Sequence, residues 1–144
     1  MLTVQIINKS PYDLPEYKTT GSAGMDLRAH IEQPIELASL DRMLIPTGLH
    51  IALPLGYEAQ IRPRSGTAYK KGLSVPNAPG TIDSDYRGEV KVLIINLSRD
   101  IVTIDPGERI AQMVVAKHEQ VEWLPTERLE DTVRGEGGFG STGS

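Results

Sequence analysis

Residues 80–96 read G-T-I-D-S-D-Y-R-G-E-V-K-V-L-I-I-N, and this stretch predicts a charged turn that leads into a buried β-strand. Its first part combines three acids, an aromatic residue and a cation: Asp83, Asp85, Glu89, Tyr86 and Arg87. Its second part is as apolar as a strand covered on both faces. Turn-forming ends around a charged centre predict a hairpin that displays functional groups on a rigid β scaffold. A solvated surface hairpin explains the same residues, because charged side chains are common in turns.

The rest of the chain also favours short strands over helices. Ten prolines interrupt it at intervals too short for long helices, because an interior proline removes a backbone hydrogen bond and clashes with the preceding turn. β-Branched runs predict strands at residues 3–8, 25–29, 42–46, 49–53, 57–62, 90–97, 101–104 and 109–117. Residues 65–71 form the one candidate helix. We therefore predict an all-β fold, a jelly-roll sandwich or barrel with one short helix.

Composition limits the possible functions. A chain of 144 residues with 39% hydrophobic and 24% charged residues is expected to form one soluble domain. Its net charge of −4 argues against nucleic-acid binding, so an anionic ligand would need local arginines or a bound cation. The start of the chain lacks the features of a signal peptide, and no run approaches the roughly 20 apolar residues of a membrane helix. The absence of cysteine suits a reducing, cytoplasmic location.

The C-terminal residues 133–144 differ from the rest of the chain. They read V-R-G-E-G-G-F-G-S-T-G-S, with five glycines and one large apolar side chain, Phe139. Such a segment buries too little surface to order itself, so we expect a mobile tail. Gly135, Gly137 and Gly140 fit the spacing G-x-G-x-x-G. A dinucleotide-binding loop also needs a preceding strand and a following helix, for which there is no room.

The start of the candidate helix carries groups that suit phosphate oxygens. Arg64 offers a planar fork of donors, Ser65 a hydroxyl, and Gly66 a backbone N–H that a ligand can approach closely. The alternative is an ordinary helix start in which Ser65 is the N-cap.

Two polar residues lie in otherwise apolar predicted strands. Asp26 needs a partner there, which could be a backbone amide, an arginine or a hydrated metal ion. Alternation puts Gln112 on the face of Ile110 and Val114, which suggests a polar anchor. The three histidines lack the spacing of metal ligands, so any metal is expected to be a hard ion such as Mg²⁺, carried by ligand phosphates.

Five segments in chain order share the pattern of one family. They read A-G-M-D-L-R-A from Ala23, R-P-R-S-G-T-A from Arg62, N-A-P-G-T-I-D-S-D-Y-R-G-E from Asn77, G-E-R-I-A-Q-M from Gly107 and R-G-E-G-G-F-G-S-T-G from Arg134. Over residues 2–144 the chain resembles the trimeric dUTPases, the dUTP nucleotidohydrolases. The resemblance implies a jelly-roll β domain at residues 1–132 and a flexible glycine-rich lid at residues 133–144. It also implies a homotrimer whose interfacial active sites each draw on more than one chain.

The resemblance further implies Mg²⁺-assisted hydrolysis of dUTP to dUMP and pyrophosphate, by attack of water at the α-phosphate. This reaction limits uracil incorporation into DNA and supplies dUMP for thymidylate synthesis. Asp83 would be the general base, and Tyr86 would lie against the deoxyribose. Uracil would be read by Asn77, Gly80, Thr81 and Ile82, with Phe139 stacked on it. The phosphates would be held by Arg64, Ser65, Gly66, Gln112, Arg134, Ser141 and Thr142, and Gly140 would also be a substrate-binding residue. Asp26 would help to place Mg²⁺ indirectly, through water.

Two alternatives to this function are a dCTP deaminase-like enzyme and a catalytically silent nucleotide-binding trimer. The deaminase pattern expects a second serine and a second arginine where Gly66 and Tyr69 stand. A silent trimer would be expected to lose the base or the tail, whereas Asp83, Arg134 and Phe139 are all present.

Overall fold

The computed structural model describes residues 1–141 and 143 of the chain. The strands of this part are β1 (Gln5–Asn8), β2 (Met25–Arg28), β3 (Ile35–Leu37), β4 (Arg42–Ala52), β5 (Tyr57–Arg62), β6 (Leu73–Ser74), β7 (Gly80–Ile82), β8 (Val90–Asn96), β9 (Val102–Ile104) and β10 (Arg109–Lys117). Its helix is α1 (Ser65–Lys71). Two four-stranded sheets have the orders β1-β4-β8-β6 and β2-β10-β5-β7, and β3 pairs with β9. The prediction of an all-β fold with one short helix is confirmed.

The hydrophobic core lies between the two sheets. Fully buried side chains come from both, among them Ile45, Val92 and Ile94 on one sheet and Leu27 and Ala59 on the other. On the opposite face of β8, Leu93 and Ile95 are only half buried. The sequence predicted that β8 is covered on both faces. Within a single chain, only the face of β8 that points into the core is fully covered.

Several predicted element bounds match the structure, and some do not. The bounds of α1, β5 and β10 agree with the prediction. The runs at 42–46 and 49–53 merge into the single strand β4, which ends at Ala52 and whose register against β8 shifts between Pro46 and Leu49. Strands β3, β6 and β7 were missed, because two or three residues carry too little alternation to be recognised.

The predicted hairpin around residues 83–89 is wrong. Strand β7 pairs with β5 in one sheet, whereas β8 pairs with β4 and β6 in the other. Strand β8 pairs with β4 along one edge and with β6 at Ile95 and Asn96 on the other, and it does not pair with β7. Residues 83–89 instead form a loop that links the two sheets.

Helix α1 begins one residue before the position expected from a Ser65 cap. The N-cap is Arg64, in extended conformation and without a side-chain capping bond, so the N-cap interpretation of Ser65 is wrong. The helix ends at Gly72, which has a φ of +69° and whose N–H donates to the carbonyl of Ala68. No helix in the described ranges is long and apolar enough to cross a membrane.

Candidate active site

Arg64 is the centre of the first group of predicted site residues. Its Nε donates to Oδ1 of Asp26 at 2.8 Å, and its Nη1 donates to the carbonyl of Arg109 at 3.2 Å. Asp26 lies on β2 and Arg64 immediately precedes α1, so this pair holds the helix start against the sheet. Arg109 adds a second cation, with its Nε 3.7 Å from Oδ2 of Asp26. Of the partners expected for Asp26, the structure supplies an arginine.

Gln112 belongs to the same group. It lies opposite Asp26 on β2 and opposite Arg62 on β5, and its Nε2 donates to the carbonyl of Pro63 at 3.0 Å. A Cβ at Gly24 would lie 2.4 Å from Oε1 of Gln112, so the absence of a side chain at Gly24 makes room for the amide.

The face predicted for Gln112 is only partly correct. The register of β10 against β2 shifts between Arg109 and Ala111. Ile110 and Ala111 are consecutive and both buried, so the expected alternation fails at this point. Val114 is half buried like Gln112, so the predicted shared face is correct for this pair.

Two shallow concavities flank Arg64. One, of about 600 Å³, is lined by Gln60, Arg62, Pro63, Arg64, Ser65, Ala78, Pro79 and Gln112. The other, of about 380 Å³, is lined by Arg64, Gly66, Thr67, Lys70, Lys71, Glu108 and Arg109. Cations outnumber acids in both linings, which favours an anionic ligand despite the acidic chain.

The second group of predicted residues lies on β7 and just before it. Gly80, Thr81 and Ile82 pair with Ile61, Gln60 and Ala59 of β5, which fixes the backbone of this segment. A Cβ at Gly80 would lie 3.1 Å from Nδ2 of Asn77, so the amide of Asn77 rests against the Gly80 backbone. An amide side chain beside ordered backbone groups can recognise the edge of a flat polar ring.

Asp83 and Tyr86 follow β7 in the loop between the sheets. Asp83 is exposed, and its carbonyl accepts a hydrogen bond from the N–H of Tyr86 at 3.2 Å. The hydroxyl of Tyr86 donates to the carbonyl of Glu89 at 3.0 Å. A Cβ at Gly88 would lie 2.2 Å from this hydroxyl, so the tyrosine ring packs directly over the Gly88 backbone.

Within one chain Asp83 lies away from the group around Arg64, although Ala78 and Pro79, just before β7, line the same concavity as Arg64. Ile82 lies opposite Ala59 and Gln112 opposite Arg62, three residues further along β5 and on its other side. At about 3.3 Å per residue and 4.8 Å per strand, Asp83 and Gln112 are on the order of 15 Å apart at the backbone.

The described residues of the tail form local turns. Nε of Arg134 donates to the carbonyl of Gly137 at 2.8 Å, and the N–H of Ser141 donates to the carbonyl of Gly138 at 3.0 Å. Phe139 is fully exposed, with a φ of +50°. Gly140 is also exposed, and Thr142 lies outside the described residues. Within the described part of the tail, Arg134, Phe139, Gly140 and Ser141 are exposed and make no hydrogen bond to either group in a single chain.

Sequence reasoning missed three contributors to these groups: Gly24, Arg109 and Glu89. Gly24 and Arg109 act through Gln112 and Asp26, which are distant in sequence, so no local pattern marks them. Glu89 was noted only as one charge in a turn.

The fold and the two residue groups define a β-sandwich protein with a cationic surface for an anionic ligand and an exposed carboxylate on a separate loop. The dUTPase family model matches residues 10–143. The chain is 56% identical to the deoxyuridine 5'-triphosphate nucleotidohydrolase of Fusobacterium nucleatum, over 97% of this chain and 96% of that protein. It is 61% identical to the Rickettsia bellii protein of the same name, over 90% of this chain and 87% of that protein.

A solved structure agrees with these relatives. The Staphylococcus bacteriophage 80alpha dUTPase with dUPNHPP superposes with a TM-score of 0.83 at 26% identity, over 99% of both chains. The chain belongs to the dUTPase family, and the resemblance seen in its five sequence segments is confirmed.

Proposed function

We propose that this protein hydrolyses dUTP to dUMP and pyrophosphate. Its relatives are named as deoxyuridine 5'-triphosphate nucleotidohydrolases, which supplies the substrate and the reaction. The structural observation that carries the proposal is the position of Asp83, exposed directly after the short strand whose backbone lies against Asn77. The same segment thus carries polar groups that can hydrogen-bond to the edge of a uracil ring and an exposed carboxylate.

In this mechanism Asp83 is the general base. Its carboxylate accepts a proton from a water molecule about 3 Å away as the water oxygen attacks the α-phosphorus. The bond from that phosphorus to the bridging oxygen breaks, and pyrophosphate leaves. Catalysis then rests on positioning and charge stabilisation, as is general for phosphoryl transfer.

The uracil and the deoxyribose of the substrate bind to the same segment of the chain. Asn77 and the backbone of Gly80, Thr81 and Ile82 bind the uracil edge and leave no room for the methyl group of thymine. Tyr86 lies against the deoxyribose, where a ribose 2′-hydroxyl would clash with its ring. The support is that Tyr86 is held at both ends, by Gly88 below the ring and by the Glu89 carbonyl at its hydroxyl.

The phosphates bind at the other group, with Arg64, Ser65, Gly66 and Gln112. Arg64 uses Nε and Nη1 for protein contacts, whereas its Nη2 makes no hydrogen bond among the described residues. A guanidinium fixed on one side presents its remaining N–H groups to phosphate oxygens at low entropic cost.

The donor set fits Mg²⁺ that is bound through the substrate. Both oxygens of Asp26 face guanidinium groups, at 2.8 and 3.7 Å, which disfavours direct metal ligation but leaves lone pairs for a metal-bound water. Among the described residues no cluster of three or more metal-binding side chains occurs. When bound, Mg²⁺ would neutralise phosphate charge, with Asp26 orienting its water shell.

A homotrimer with shared sites is supported by the separation of Asp83 from the group around Arg64. Asp83 and Gln112 of one chain are on the order of 15 Å apart at the backbone, so we propose that Asp83 of one subunit meets Arg64 of another. The isolated chain also exposes large apolar side chains after β10, including Val121, Trp123, Leu124 and Leu129. An exposed group of this kind favours contact with another subunit.

The tail, residues 133–144, is proposed as a lid distinct from the domain at 1–132. Phe139 is fully exposed and free to stack on uracil, which contributes about 1–3 kcal/mol for base–aromatic contacts. Arg134, Gly140, Ser141 and Thr142 would then add phosphate contacts. Closure only with substrate would exclude bulk water from the reacting phosphate.

The test is pyrophosphate release from dUTP, dCTP, dTTP and UTP, with and without Mg²⁺, together with detection of ammonia. We expect release from dUTP alone at a high rate, dependent on Mg²⁺ and without ammonia. Ammonia from dCTP would indicate the deaminase alternative, and binding without turnover would indicate the silent trimer.

A further inference from the structure

The loop at residues 83–89 is under an unusual constraint, because its two ends belong to different sheets. It leaves β7, which pairs with β5, and enters β8, which pairs with β4 and β6. Loops of this length move unless side chains hold them. The proposed base and the proposed sugar-reading tyrosine both lie in it, so whatever fixes the loop also fixes them.

Glu89 provides a bond between this loop and the interior of β4. Its Oε1 accepts a hydrogen bond from the N–H of Gly48 at 2.8 Å, and its side chain is half buried. The register shift between Pro46 and Leu49 removes Gly48 from regular pairing with β8. Gly48 is buried, so its N–H needs an acceptor, and a carboxylate is a strong one.

The backbone of Gly48 is closely packed against its neighbours, which leaves it little room to move. Gly48 has a φ of +74°, and a Cβ there would lie 2.7 Å from Nδ1 of His30 and 2.8 Å from the N of Ser10. The backbone is therefore packed on its other side as well. A second, exposed contact joins the same elements, with Nδ1 of His50 3.1 Å from the carbonyl of Arg87.

Glu89 is also bonded to Tyr86. The carbonyl of Glu89 accepts the Tyr86 hydroxyl at 3.0 Å, while the ring rests on Gly88. The Glu89 side chain thus holds a backbone carbonyl that in turn holds the tyrosine. The N–H of Tyr86 donates to the carbonyl of Asp83, which extends the connection to the proposed base.

We propose that Glu89 is a positioning residue, which sets the preference for deoxyribose over ribose by fixing Tyr86 through the Gly48 bond. The inference rests on the proposed hydrolysis of dUTP. If Glu89 is lost, the loop shifts and the tyrosine ring no longer excludes a 2′-hydroxyl. The kcat/KM for UTP then rises relative to that for dUTP.

Three substitutions of Glu89 distinguish the effect of its side-chain length from the effect of its charge. Glu89→Gln keeps an acceptor oxygen at the same distance, Glu89→Asp keeps the charge but is one methylene too short, and Glu89→Ala removes both. We expect the dUTP/UTP ratio of kcat/KM to fall about tenfold in the Ala and Asp variants and to stay within about threefold of wild type in Gln. Glu36→Ala, an exposed carboxylate on β3, is the matched control and should leave the ratio unchanged.

Hydrogen exchange of the Gly48 amide gives a readout that does not depend on catalysis. It should accelerate in Glu89→Asp and Glu89→Ala and remain slow in Glu89→Gln. A merely structural role would lower Tm without changing the dUTP/UTP ratio, and that result would overturn the inference. If the Ala variant does not fold, the Asp and Gln pair decides the question.

The two proposals fail in different ways. A wild-type protein that does not hydrolyse dUTP contradicts the proposed function. If the wild-type protein hydrolyses dUTP and the Glu89→Asp variant has an unchanged dUTP/UTP ratio of kcat/KM, only the role of Glu89 is contradicted.

Discussion

Asp26 and Arg64 are 38 residues apart in sequence and are joined by a 2.8 Å bond from the Arg64 Nε to Oδ1 of Asp26. This bond ties the start of α1 to the strand β2. The side chains are 26% and 30% exposed, so the pair is partly screened and its contribution to the free energy of unfolding should not exceed about 1 kcal/mol. Its importance is therefore in the orientation of Arg64 rather than in stability.

Asp26→Ala is expected to weaken substrate binding more than folding. Without its carboxylate partner, Arg64 samples other rotamers, and KM for dUTP should rise about tenfold. Steady-state kinetics and urea unfolding measure the two effects. Asp131→Ala removes a similar Arg–Asp pair, with Arg128, that is more than four-fifths exposed, and it should change neither. A KM within twofold of wild type would contradict the orienting role.

Gly24→Ala is expected to disturb the site through Gln112. The new methyl group would lie 2.4 Å from Oε1, so the amide must move and its bond to the Pro63 carbonyl is lost or strained. We expect KM to rise severalfold with little change in Tm. Gly21→Ala is the matched control, because nothing lies within 4 Å of a Cβ at that position. Equal kinetics for the two variants would mean that Gln112 is not a ligand group.

Asn96→Ala is expected to reduce stability strongly and to affect the site only indirectly. Asn96 is fully buried, and its Nδ2 donates to the carbonyls of Leu37 and Asp100, both at 2.8 Å. Its Oδ1 accepts from the N–H and hydroxyl of Ser98. Because the truncation leaves the buried Leu37 carbonyl and the partly buried groups at Ser98 and Asp100 without this partner, the free energy of unfolding should fall by about 2–4 kcal/mol. Urea denaturation measures this, and a loss below about 0.5 kcal/mol would contradict the network.

Phe139→Ala is expected to lower activity without altering the fold. The side chain is fully exposed, so Tm should be unchanged, while the loss of stacking should reduce kcat/KM for dUTP about 10- to 100-fold. Val133→Ala changes another exposed apolar side chain of the same tail and serves as the control. Full activity of Phe139→Ala would remove Phe139 from the proposed lid.

The longer, regular elements could be predicted from local pattern alone. β5, β10 and α1 have enough residues for periodicity and boundary signals, and their predicted bounds agree with the structure. β7 has three residues and exists because β5 offers it an edge, which no local pattern contains. The hairpin prediction failed for the same reason, because β7 pairs with β5 of the other sheet and not with β8, the next strand in sequence.

The kinds of chemical groups at the site could be predicted from the sequence, but the residues with which they pair could not. The strand setting of Asp26 required a partner, and arginine was one of the options, yet nothing local selected Arg64. The bond from Glu89 to Gly48 depends on a register shift in a strand 41 residues away, so it could not be read from the sequence.

The most direct test compares the wild type with Asp83→Asn in dUTP binding and in single-turnover hydrolysis with Mg²⁺. The account predicts an affinity within a few-fold of wild type, because the amide is nearly isosteric. It predicts a hydrolysis rate lower by about 10²–10⁴-fold, because the amide cannot accept the proton of the attacking water. A wild-type rate in Asp83→Asn would contradict the central claim that this carboxylate is the base.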